Sequence, residues 1–171
     1  MILHTNNRGL TLIEMLIYVA ITALLMTTIV SALVHLTDSH RLLVLNRVIQ
    51  DSGTVSLERI TREIRAASSV DIGASVLNQN PGALELLSVS ESGSTRRVRF
   101  TLQNGILYVT ENGVLQGPLS PASASTTSLV FRRITTANSE AVKIEIVVSA
   151  TSSRFSKTIP FYNTTVLRGS Y

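Results

Sequence analysis

Between Leu10 and Leu36 the chain carries one formally charged side chain, Glu14, and this apolar run constrains the fold more than anything else in it. Met15 to Leu36 covers about 22 residues, and as a helix it rises roughly 33 Å, enough to cross a bilayer core. Its polar interruptions are weak: Thr22, Thr27, Thr28, Ser31 and His35, with Thr11 before them. A secretory signal would show an apolar region of only about 7 to 15 residues and then a small-x-small cleavage site. This run is longer, and it begins at once after Arg8 and Gly9. An acid at the centre of a membrane helix costs roughly 2.5 to 3.5 kcal/mol, less near an interface, so Glu14 needs a compensating partner.

Helical spacing continues beyond the apolar run. Leu42, Leu45 and Ile49, then Leu57, Ile60, Ile64 and Ala67, recur at threes and fours while the opposite face turns polar. Glu58 with Arg62 and Arg59 with Glu63 have ion-pair spacing on such a helix and are read as solvated pairs. Gly53, within Asp51-Ser52-Gly53-Thr54, is its weak point, and a bend or softened turn is expected there. The predicted helix runs from about Leu10 to about Ala67, a stalk whose first half has no soluble core to pack against.

After Ser68 the period becomes alternating. Strands are expected around Leu84–Val89, Arg97–Leu102 and Ile106–Val109, with Asn104-Gly105 as a tight hairpin between the last two. Further strands are read at Leu129–Ile134, at Val142–Val148 and across Phe155–Leu167, the last interrupted at Pro160; loops are read at Asn78–Gly82 and from Gly117 to Ser128. The fold class is therefore α+β: a long N-terminal membrane-spanning helix whose C-terminal half covers the apolar face of an antiparallel β-sheet head. The organisation is 1–9 leader, 10–36 membrane helix, 37–68 continuing amphipathic helix and 69–171 head.

Several function classes find no support in the residues. Cysteine is absent, which removes a disulfide framework, a thiolate nucleophile and a cysteine metal site. The histidines are His4, His35 and His40, so the head has none to serve as a hydrolase base or a zinc ligand. The glycines nowhere take phosphate-loop spacing. No catalytic residue, metal or cofactor is expected.

Gly9 followed by Leu10-Thr11-Leu12-Ile13-Glu14 and an apolar helix resembles the processing and methylation motif of type IV pilins and type II secretion pseudopilins. Leu57–Ala67 and the closing Thr165-Val166-Leu167-Arg168 resemble minor pilins and minor pseudopilins of larger head. The resemblance implies cleavage by a prepilin peptidase between Gly9 and Leu10, then N-methylation of Leu10. The family most often has phenylalanine after the cut where this chain has Leu10, and many shaft pilins carry a proline in the apolar segment where Met15–Leu36 has none. Cleavage creates a cationic amine that Glu14 can face, in its own chain or a neighbour's. At about 4 Å and an effective dielectric of about 20 that attraction is roughly 4 kcal/mol before desolvation is subtracted. Glu14 is thereby assigned to subunit recruitment and axial register.

The implied partners are the prepilin peptidase, sibling pilin or pseudopilin subunits, a membrane platform protein, an assembly ATPase and the lipid bilayer. The implied location is the cytoplasmic membrane with the head outside, then a cell-surface or periplasmic filament. Arg97 and Arg99 share a strand face, with Arg132 and Arg133 expected on a neighbouring strand, which suggests a basic patch able to contact DNA phosphates. Sparse aromatics beside it favour a plain polar sheet face. The competing functional class is a binding module tethered by an uncut helix, with a pilus-tip DNA or adhesion receptor as a specialised form of the first reading.

Overall fold

The computed structural model describes residues 11–89, 93–121, 123–137 and 139–168. The expected leader 1–9 and the Gly9–Leu10 bond lie outside the described residues. One helix, α1 (Leu12–Ala66), is followed by eight strands, β1 (Ser69–Val70), β2 (Ala83–Val89), β3 (Thr95–Gln103), β4 (Ile106–Glu111), β5 (Val114–Pro118), β6 (Ser125–Thr135), β7 (Glu140–Thr151) and β8 (Ser156–Val166). This is an α+β, pilin-like architecture, and the chain divides into two compact units between Leu42 and Leu43.

In the first unit every residue from Leu12 to Thr37 is exposed. α1 is long and apolar enough to cross a membrane. Four threonine hydroxyls suit that setting, because each bonds within the helix. Thr22 donates to the Tyr18 carbonyl (2.7 Å), Thr27 to Ala23 (2.9 Å), Thr28 to Leu25 (2.7 Å) and Thr37 to Leu33 (2.9 Å). A hydroxyl satisfied by its own helix costs little in hydrocarbon, so these threonines do not oppose the apolar run.

In the second unit the remainder of α1 buries Leu45, Ile49, Ser52, Gly53, Ser56, Ile60 and Ile64, a stripe at threes and fours. Two antiparallel sheets receive it where the sequence suggested one: β1-β2-β3-β4-β5 and β6-β7-β8. In the larger sheet Leu84, Phe100 and Val109 align across β2, β3 and β4. In the smaller, Leu129, Ile146 and Phe161 align across β6, β7 and β8, and these side chains join the α1 stripe in one core. The seam between the sheets is made of backbone. Asn78 and Gly82 donate to the carbonyls of Phe131 and Leu129 (2.8 Å each), and Thr126 donates to Gly105 (2.7 Å). A seam stitched by the loop 78–82 has no period of its own in the sequence, which is why the split between the sheets left no signal.

Asn104 and Gly105 have φ of 50° and 76°, as a two-residue hairpin of left-handed residues requires. Asn112-Gly113 repeats that geometry (φ 49° and 82°) and turns β4 into β5, a strand that alternation alone had not marked. The helix continues through Gly53 without a break. A Cβ there would stand 2.4 Å from the ring of Phe161, so the glycine makes room for an aromatic from β8 and is not a hinge. The expected solvated pair Arg59–Glu63 forms at 2.9 Å, but Glu63 is buried and shared with the sheet.

Candidate functional site

Glu14 occupies the third position of α1. Its amide N–H donates to the Thr11 hydroxyl (3.3 Å), so Thr11 is the N-cap and Thr11-Leu12-Ile13-Glu14 carries the threonine-x-x-glutamate pattern of a capping box. The same threonine and glutamate thus serve the helix start as well as the motif that runs from Gly9 to Glu14. Glu14 is also the acid of the first turn, where the positive end of the helix dipole favours a carboxylate. Among the described residues it makes no ion pair, so its charge is held by the helix end and remains available to a cation from elsewhere.

The arginines read as a patch are separated by the fold. Arg97 and Arg99 project from the outer face of β3 and flank Glu85 of β2, at 3.6 and 3.8 Å from its two oxygens. They line an open hollow with Thr101, Gln103 and Thr110. Arg132 and Arg133 lie on β6 in the other sheet, not on a strand neighbouring β3. Successive residues of a strand face opposite sides. Arg132 accordingly pairs with Glu145 (3.1 Å) and Arg133 with Glu140. Lys143 joins Glu145 at 2.8 Å and lies 5.9 Å from the Tyr162 ring centre. Each arginine of the expected patch thus already has a carboxylate.

Arg96, on the same strand, is the better connected residue. Its Nη1 meets Glu63 of α1 at 2.7 Å and its Nε meets Glu111 of β4 at 2.6 Å, while Arg59 reaches Glu63 from one turn earlier. Glu63 is 5% exposed, and it pins the end of α1 to the larger sheet. The Arg96 hydrogen bond holds the Glu111 carboxyl below the usual carboxylate range, and the bonds from Glu111 and then Glu63 raise the guanidinium further. Glu145 is lowered likewise, first by Lys143 and then by Arg132. Nothing in this arrangement places a nucleophile beside a base. Among the described residues no three His, Asp or Glu side chains gather as a metal site would need.

An exposed apolar helix, capped by Thr11 and long enough to cross a membrane, together with antiparallel sheets makes a pilin-like α+β architecture that fits a membrane anchor. Residues 4–30 match the family model described as the prokaryotic N-terminal methylation motif, which supports membership in the type IV pilin and pseudopilin family. No curated protein and no solved structure matches the chain.

Proposed function

We propose that the chain is a minor, filament-initiating subunit of a type IV pilus or type II secretion pseudopilus, cut between Gly9 and Leu10 by a prepilin peptidase and methylated on Leu10. The observation that carries this is the methylation motif at residues 4–30 heading an apolar α1 whose residues from Leu12 to Thr37 are all exposed. Burying that much apolar surface needs lipid or the helices of sibling subunits. The resemblance names the remaining machinery: a platform protein, an assembly ATPase and a location that passes from cytoplasmic membrane to filament. Glu14 recruits and registers subunits through the amine that cleavage creates, a role suited to a carboxylate that makes no ion pair among the described residues.

Mass spectrometry of the native N-terminus tests the reading. A chain starting at Leu10, heavier by one methyl group, is the expected result. A chain retaining Met1 to Gly9 in cells with active peptidase would make the protein a permanently tethered module.

A further inference from the structure

The hydrogen bonds of β8 have a definite parity. Leu167 donates to the Glu140 carbonyl (2.9 Å) and Ser152 to the Phe155 carbonyl (2.7 Å), and the β7–β8 register runs without a shift between them. In an antiparallel ladder, hydrogen-bonded and non-bonded pairs alternate, so Phe161, Asn163 and Thr165 bond to β7. Tyr162, Thr164 and Val166 then turn their N–H and C=O groups away from it. β8 is the last strand of its sheet, and no backbone bond among the described residues occupies that edge. Pro160 confirms the parity, since it pairs with Val147 in the non-bonded class, where the missing N–H would face outward.

Two further observations fall at the same place. Arg65, in the last turn of α1, and Arg168, just beyond β8, line one groove with Thr164, Thr165 and Val166, and neither arginine forms an ion pair among the described residues. The hydroxyl of Thr165, a residue 4% exposed on the groove wall, has no hydrogen-bond partner among the described residues. These arginines differ from those of β3 and β6, all of which hold carboxylates.

We infer that the Tyr162–Val166 edge of β8 is a docking site for an extended, acidic segment of a different protein chain, which adds as a strand and places carboxylates on Arg65 and Arg168. An open strand edge offers donors and acceptors alternately, a pattern another peptide backbone complements. A nucleic acid brings phosphate acceptors and would leave the edge carbonyls unpaired. A second copy fits less well, because the chain carries a net charge of +4 and its groove would approach another basic protein. The acidic segments belong to the partners of an assembling subunit, so the inference deepens the proposed function. It is tested without reference to processing.

The experiment uses the full chain in detergent and a labelled peptide of about eight residues that alternates threonine and glutamate, a typical strand length. Fluorescence anisotropy should show saturable, salt-sensitive binding. Methylating alternate peptide nitrogens, or exchanging glutamate for lysine, should abolish it. Thr164→Pro removes an outward N–H and no ladder bond, as Pro160 already does, so it should weaken binding about tenfold or more. Arg65→Gln with Arg168→Gln should do the same through the charges, which keeps the test valid if the proline variant melts early. The inference is overturned if the peptide does not bind, or if both sets of variants bind it unchanged. It is also overturned if an oligothymidylate of equal charge binds as tightly, or if the edge instead pairs two copies of the chain. A chain starting at Met1 would sink the filament reading while leaving this result standing.

Discussion

Gly53 lies under the ring of Phe161, with room for a hydrogen and not for a methyl group: a Cβ at Gly53 would sit 2.4 Å from both Cε2 and Cζ. Alanine would gain about 1 kcal/mol of helix propensity. Forcing a methyl into a filled core costs about 1–3 kcal/mol, and this overlap is with a ring at the heart of the α1–β8 contact. Gly53→Ala should therefore lower stability by up to about 2 kcal/mol net. Near-ultraviolet circular dichroism of the detergent-solubilised chain, which follows head tyrosines such as Tyr108 and Tyr162, reads the melting shift. Phe161→Leu should absorb part of it, and additive effects would mean that the two residues do not share the site.

Ser52 and Ser56 continue the small-residue face on either side of Gly53. Both are buried, and neither hydroxyl has a hydrogen-bond partner among the described residues. An unsatisfied buried hydroxyl is a cost that alanine removes, and alanine also favours helix. Ser56→Ala should leave the melting point unchanged or raise it, by at most about 1 kcal/mol in stability. A clear loss would show that the hydroxyl is bonded, through a water for instance.

Glu63 joins three charged side chains, Arg59, Arg96 and, through Arg96, Glu111. Removing one member of a buried pair costs about 3–5 kcal/mol, but both arginines are about a third exposed, so water compensates part of the loss. Glu63→Gln should destabilise the head by about 1–3 kcal/mol, while Glu58→Gln, on the exposed side of the same helix, should be nearly neutral. Equal effects from the two would remove the network from the account of how α1 is fixed to the sheet.

The same contacts set a pH dependence. Glu111 and Glu145 are held below their ordinary carboxylate values by Arg96 and by Lys143 with Arg132. A carboxylate whose folded pKa is depressed contributes stability above its unfolded pKa and loses it as pH falls through the folded one. Unfolding midpoints should thus be level from neutral down to about pH 5 and fall progressively below about pH 4. Glu111→Gln should flatten part of that fall, and an unchanged acid limb would assign it to other carboxylates.

What could be read from the residues and what could not divides along physical lines. The apolar run and the Asn104-Gly105 turn are local patterns and form as read, whereas β8 runs unbroken through Pro160, where an interruption was expected, and β5 and β6 take both ends of the expected loop from Gly117 to Ser128. Gly53 illustrates the opposite case: its neighbour in space is over a hundred positions away, and sequence offered only its helix-breaking tendency. Arg96 was hidden for the same reason, because Glu63 and Glu111 reach it from other elements. The patch from Arg97 to Arg133 required knowing that the strands form two sheets, and that depends on the loop 78–82 bonding to β6. Asn112-Gly113 and the Thr11-x-x-Glu14 cap are local signals of the same kind.

Thr11 and Glu14 separate helix capping from assembly. If Glu14 acted only as the acid of a capping box, Thr11→Ala and Glu14→Gln would have similar effects, each weakening the start of α1 by about 0.5–2 kcal/mol at most. The proposed role is different, because in it the Glu14 carboxylate, which makes no ion pair among the described residues, meets the amine on Leu10 of the same chain or a sibling. Glu14→Gln should therefore leave membrane insertion and the mass of the N-terminus unchanged while abolishing co-purification with sibling subunits from sheared filaments. Thr11→Ala should retain most co-purification. Comparable losses in both variants would return Glu14 to the cap, and the partner of its charge would have to be sought in the lipid headgroups.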